Sequence, residues 1–136
     1  MTPPQENVQV IREFIDAFNR RDYRACLEAI DPEVEWHPPP DIPNAAVSIG
    51  RDALVANFQD WFGAWEDYRS VTEEILEGAD DTVVVSARES ARGKGSGIEF
   101  GSRRIFGVFQ LRDRKVVRQQ AFLDRAEALR AAGLRE

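Results

Sequence analysis

The first apolar residues of the chain recur at helical spacing. Val8, Ile11, Phe14, Ile15 and Phe18 fall three or four positions apart, the stripe of an amphipathic helix. Pro3 and Pro4 precede it where proline is tolerated, in a first turn. The pattern stops near Asn19-Arg20-Arg21. Asp22 is then placed to cap a second short helix, Tyr23 to Ile30, with Tyr23, Cys26, Leu27 and Ile30 inward. Asp31-Pro32 ends it, because proline pushes its predecessor out of the helical region. Val34-Glu35-Trp36-His37 alternates as a short strand. It runs into Pro38-Pro39-Pro40-Asp41-Ile42-Pro43, which can neither continue a helix nor sit in a central strand. The stiff loop extends to Gly50, and its length predicts a rim or lid.

Arg51 to Trp65 reads as a third helix with Leu54, Val55, Phe58, Trp61, Phe62 and Trp65 on one broad face. Period-two patterning then takes over: Tyr68 to Leu76, a turn at Gly78-Ala79-Asp80-Asp81, and a strand from Thr82 to Arg88. Ala91 to Gly97 forms a glycine-rich hairpin turn. The last two strands, Ile98 to Leu111 and Lys115 to Leu123, are joined by Arg112-Asp113-Arg114. A final helix, Arg125 to Ala132, is closed by Gly133. Both alternating sets of the last hairpin carry apolar bulk, whereas a half-solvated sheet shows one apolar and one polar face. Helices early and strands late predict an α+β fold with helices on one side of a mainly antiparallel sheet. The other sheet face, with Phe106, Val108 and Phe122 among Arg104, Arg118 and Gln120, is expected to meet a second copy in a homodimer.

Length and charge narrow the function classes. The 136 residues fit one domain, residues 1–136. At 43% hydrophobic and 31% charged residues the composition is globular, and no window approaches the ~20 apolar residues of a membrane span. The N-terminus shows no secretory pattern, so the expected location is cytoplasmic. A net charge of -6 argues against a nucleic-acid surface. With one cysteine and one histidine there is no metal-ligand cluster, no metal site is expected, and no motif asks for a cofactor. Cys26 is read as a core thiol. Gly93 to Gly97, beside Arg92 and Lys94, matches no phosphate-loop spacing and leads into a strand, so it reads as a turn.

The element order, with Phe14-Ile15-Asp16-Ala17-Phe18-Asn19-Arg20-Arg21-Asp22, Pro32-Glu33-Val34-Glu35-Trp36, Gly50-Arg51-Asp52-Ala53-Leu54 and Arg112-Asp113-Arg114-Lys115-Val116-Val117, resembles the SnoaL-like branch of the nuclear-transport-factor-2-like superfamily. The resemblance spans almost the whole chain. It implies a cone: a curved mixed sheet wrapped around three N-terminal helices, a short C-terminal helix, a pocket at the open end, and a homodimer through the outer sheet face. The superfamily includes isomerases, cyclases, dehydratases, hydrolases and non-catalytic pocket proteins, so the fold leaves the chemistry open.

Set against similar enzymes, the acid and donor positions are emptied here. The isomerase tyrosine falls on Phe14, the strand acid on Gly107, and the base on Trp36, or on His37 with a one-residue shift. The cyclase acid falls on Ala121. An Asp-Arg-Asp water-activating arrangement could use Arg103, with only Glu99 on its face. The parity that places Gly107 and Ala121 inward puts Arg103, Phe109 and Gln119 on the pocket side. Arg88 joins them if Val84 and Ser86 point inward. An inward arginine needs an anion, either a ligand carboxylate or an internal partner such as Glu74 or Glu99. The expected pocket residues are Phe14, Trp36, Trp61, Tyr68, Arg88, Arg103, Phe109 and Gln119, with packing alone as the competing role for each aromatic. His37 is the candidate base, since imidazole changes charge near neutral pH; its place beside three prolines equally fits an exposed rim. The first reading is a small-molecule pocket protein taking an apolar or acidic ligand. The enzymatic alternative is a hydrolase, dehydratase or isomerase on a hydrophobic or polyketide-like substrate. A dimer with a filled core is the third.

Overall fold

The computed structural model describes residues 2–42, 45–93 and 99–135, with the backbone alone at 99–101. Residues 94–97 of the expected glycine-rich turn, and the side chain of Glu99, lie outside the described residues. Helix α1 spans Pro3–Asn19 and α2 spans Tyr23–Leu27; strand β1 is Ile30–Trp36 and β2 is Ser48–Ile49; α3 is Arg51–Ala64. Four strands follow, β3 Trp65–Glu77, β4 Thr82–Gly93, β5 Glu99–Arg112 and β6 Lys115–Phe122, and then α4, Arg125–Ala131.

Caps set the helix starts. The Thr2 hydroxyl accepts from the Gln5 amide while the Gln5 side chain accepts from the Thr2 amide, closing a capping box around Pro3 and Pro4. Asp22 accepts from the Ala25 amide and Asp124 from the Glu127 amide. Helix α2 stops three residues short of the expected Ile30, because Ile30 already belongs to β1 and pairs with Val116 of β6. Pro32 is accommodated within that strand, where the register with β6 shifts between Ile30 and Glu35, so its missing N–H interrupts no ladder bond. Gly50, at φ 90, turns the chain from β2 into α3 and donates its amide to the Val34 carbonyl at 2.8 Å.

The six strands form one sheet in the order β2-β1-β6-β5-β4-β3. Among the described residues the β1–β6 pair alone is parallel. Tight turns with two consecutive positive-φ residues, Asp80-Asp81 and Asp113-Arg114, join β3 to β4 and β5 to β6, matching the right-handed strand twist. Register shifts interrupt β3 against β4 between Glu66 and Arg69 and between Thr72 and Glu74, and β4 against β5 between Glu89 and Ala91. Such bulges bend a strand and curve the long hairpins around the helices.

The concave face and α1 to α3 enclose the main core, including Ile11, Phe14, Ile30, Val34, Leu54, Phe58, Val83 and Val116. A second cluster lies on the opposite face. There Val84, Phe106 and Val108 pack against Ala128 and Ala132 of the C-terminal segment, with Phe122 and Leu134 at the edge. The sequence expectation that Phe106, Val108 and Phe122 present apolar bulk to a second copy is corrected here. Phe106 is 3% exposed within a single chain, because α4 folds back over it.

Candidate functional site

The open end of the cone holds a cavity of about 650 Å³. Its apolar wall comes from two helices and two strands. Helix α1 supplies Phe14 and Phe18, α3 supplies Phe58 and Trp61, and the strands supply Trp36 and Phe109. Phe14 sits at the centre, with ring centroids 5.7 Å from Trp36, 6.3 Å from Phe58 and 6.1 Å from Phe109. Trp36 meets Phe58 and Phe109 edge-on at 5.5 and 5.8 Å. Offset and edge-to-face contacts of this kind hold rings in place while leaving faces open. Gly107 makes the room: a Cβ there would stand 2.9 Å from a ring atom of Phe109. The filled-core alternative requires a cone that its own side chains close, and these do not close it.

Two groups of polar side chains hold hydrogen-bonded acids and bases at the cavity. At the strand end of β1 the His37 imidazole lines the cavity beside Pro38 and Pro39. Its Nε2 lies 2.8 Å from Glu35 Oε1 and its amide donates to the Gln119 carbonyl at 2.9 Å. Deeper on the sheet stands Glu89, 4% exposed. The Tyr68 hydroxyl donates to its Oε2 at 2.5 Å, and Arg103 Nε donates to its Oε1 at 2.9 Å. Arg103 also pairs with Asp41 of the proline-rich loop, so one guanidinium is held between two carboxylates. Burial, followed by the charge of Glu89, raises the Tyr68 phenol well above the ordinary tyrosine value; hydrogen bonds with Trp61 and Ser70 act the other way. Tyr68 is therefore a firm proton donor to Glu89.

Of the residues singled out in the sequence, Phe14, Trp36, His37, Trp61, Tyr68, Phe109 and Gln119 line the cavity. The two arginines do not. On β4 the inward residues are Val83, Val85, Ala87 and Glu89, so Val84 and Ser86 point outward beneath α4 and Arg88 follows them to the outer surface. There Arg88 pairs with Glu73 and donates to the Ser102 hydroxyl. Arg103 is inward but engaged, with Glu89 and Asp41 as partners in place of the expected Glu74; the other expected partner, Glu99, has its side chain outside the described residues. Glu74 instead binds Arg125 across the outer face at 2.9 Å. An acidic ligand thus finds neither expected arginine turned toward it. The inward set on β6 also shifts: a register change between Gln110 and Leu111 puts fully buried Val116, in place of Val117, in the core.

Glu89 is the residue the sequence reading missed. The signal was present, since Glu89 continues the Val83-Val85-Ala87 alternation and pairs directly with Arg103 across the β4–β5 hairpin. Reading it needs the register, which only the pairing supplies. Chemically, the site offers an imidazole backed by a carboxylate at the rim and a buried carboxylate backed by a phenol and a guanidinium within. Among the described residues no three of His, Cys, Asp and Glu gather as metal ligands.

No curated protein matches the sequence. Many solved structures share the fold. Bal32a, from a soil-derived mobile gene cassette, superposes with a TM-score of 0.77 at 23% identity, covering 88% of this chain and 90% of its own. An NTF2-like protein from Burkholderia xenovorans gives 0.75 at 27% identity, over 95% and 97% of the two chains. A putative polyketide cyclase from Xanthomonas campestris gives 0.70 at 20%, over 93% and 96%. Residues 11–119 match the family model described as a SnoaL-like domain, and the chain, with its curved mixed sheet and N-terminal helices, belongs to the SnoaL-like family.

Proposed function

We propose that this protein binds a small, largely apolar, ring-containing molecule in the open end of the cone, with the reaction unassigned. The observation that carries this reading is the 650 Å³ cavity walled by Phe14, Trp36, Phe58, Trp61 and Phe109, within the size range of small-molecule sites. Calorimetric titration with 2-naphthol tests it. Saturable binding to the native protein is expected, together with its loss in Ala121→Trp, which fills the cavity from the sheet. Absence of saturable binding up to the solubility limit of the probe removes the reading.

A second reading is favoured by the 2.8 Å contact between His37 and Glu35. A carboxylate-oriented imidazole on a cavity wall is equipped to take a proton, which supports a hydrolase, dehydratase or isomerase on a hydrophobic or polyketide-like substrate with His37 as base. Deuterium exchange α to the carbonyl of 2-tetralone is a direct readout. Acceleration by the native protein that His37→Gln abolishes, with probe binding retained, is the expected pattern. No acceleration by the native protein ends the proton-abstraction version.

Homodimerisation through the outer sheet face belongs to the same proposal, restricted to the area that α4 leaves open. Val71 is 65% exposed there, beside the Glu73 carboxylate that takes both Arg88 and Arg104. A cytoplasmic location fits the free thiol of Cys26. No helix of the described residues is long and apolar enough to cross a membrane.

A further inference from the structure

We infer that the cavity selects a ring-containing molecule carrying a protonated or hydrogen-bond-donating nitrogen, an arylalkyl amine in its simplest form. The inference rests on the small-molecule reading above and names the ligand class for the same site. Two observations converge on it.

The first is the sign of the wall. Among the described lining residues the charged carboxylates are Asp60, at the exposed mouth, and Glu89, within; no lysine or arginine lines the cavity. Arg103 does not cancel this, because it stands between Glu89 and Asp41 and the three groups together carry one net negative charge. A carboxylate has about four acceptor positions. Tyr68 makes one contact with Glu89 and Arg103 makes two.

The second is the arrangement of rings at the Glu89 end. Trp61 packs edge-on against Trp65 and Tyr68, with centroids 5.5 and 5.6 Å apart, and the Tyr68 hydroxyl is the group bonded to Glu89. An ammonium group is drawn both to aromatic faces and to a carboxylate. Among the described lining residues an anionic ligand meets two carboxylates and ring faces of the same sign, and no lysine or arginine.

Isothermal titration of the native protein at neutral pH with 1-naphthylmethylamine, 1-naphthylmethanol and 1-naphthoic acid separates the possibilities. The amine is expected to bind about tenfold or more tightly than the acid, with the alcohol between them. Glu89→Gln is expected to erase the advantage of the amine over the alcohol. Should that variant fail to fold, titration of the native protein at about pH 7 and about pH 10, where an alkyl ammonium of this type has lost most of its proton, replaces it. The advantage of the amine over the alcohol then shrinks several-fold. Binding of the acid as tight as that of the amine, an amine advantage that survives Glu89→Gln, or an amine advantage unchanged by loss of its proton overturns the inference while leaving the small-molecule reading intact. Failure of all three probes overturns both.

Discussion

Tyr68 on β3 and Glu89 on β4 are joined by a 2.5 Å hydrogen bond from the phenol to Oε2. The bond makes one unit of a residue that looks like packing and a residue that looks like surface charge. It also anchors the polar end of an otherwise aromatic cavity.

Alkaline titration reports on it. Burial and the neighbouring carboxylate raise the folded-state value of Tyr68 above that of the unfolded chain. The stability it contributes is full below the ordinary tyrosine value near ~10 and is lost as pH rises through the folded one. In Tyr23→Phe, which leaves Tyr68 as the sole tyrosine, absorbance near the phenolate band is expected to rise only with unfolding. A phenolate signal that develops while the circular dichroism stays native contradicts this.

Arg103 and Arg104 are neighbours in sequence with opposite consequences. Arg103→Met removes the cation from Glu89, a pair whose side chains are only 14% and 4% exposed, and is expected to cost about 3 kcal/mol or more. Glu89→Gln in the same chain restores part of it. Arg104→Ala loses a half-exposed contact with Glu73 and is expected to stay within about 1 kcal/mol. Urea unfolding of the single and double variants measures both; equal losses at the two arginines refute the burial argument.

Cys26 is fully buried, and its thiol is pushed up to about 11, first by burial and then by Asp22. Maleimide at neutral pH is expected to leave the native thiol unmodified and to label it at once in denaturant, because only the thiolate reacts. By linkage the stability that Cys26 adds is complete below pH 9 and declines as pH rises through about 11. Fast labelling of the native protein shows that the thiol is neither buried nor neutral.

The C-terminal helix is a cover. Ala128, fully buried against the cluster of Phe106 and Val108, has no room for charge. Ala128→Asp is expected to lower stability by at least about 2 kcal/mol and to expose the outer face. Thermal unfolding and sedimentation test it: the variant melts earlier and self-associates. An unchanged melting temperature shows that α4 does not seal that surface.

The sequence by itself determined the local elements, because helix stripes, capping residues and turn residues act over a few positions. Thr2 and Asp22 cap as their positions require, and Asp113-Arg114 turn the last hairpin. Alternation also placed Trp36, Phe109 and Gln119 on the inner face, and Gly107 and Ala121 where they leave space. Three things were decided by tertiary structure. Register across β4 and β5, unbroken from Thr82 to Glu89, put Arg88 on the outer face and matched Glu89 to Arg103. The path of the proline-rich loop brought Asp41 to the same guanidinium from 62 residues away. The docking of α4 answered for the outer apolar face that the pattern had assigned to another copy. Alternation tells which residues share a face; which face is covered, and what stands opposite a charge, follow from contacts between distant segments, where burial removes water and makes a partner necessary.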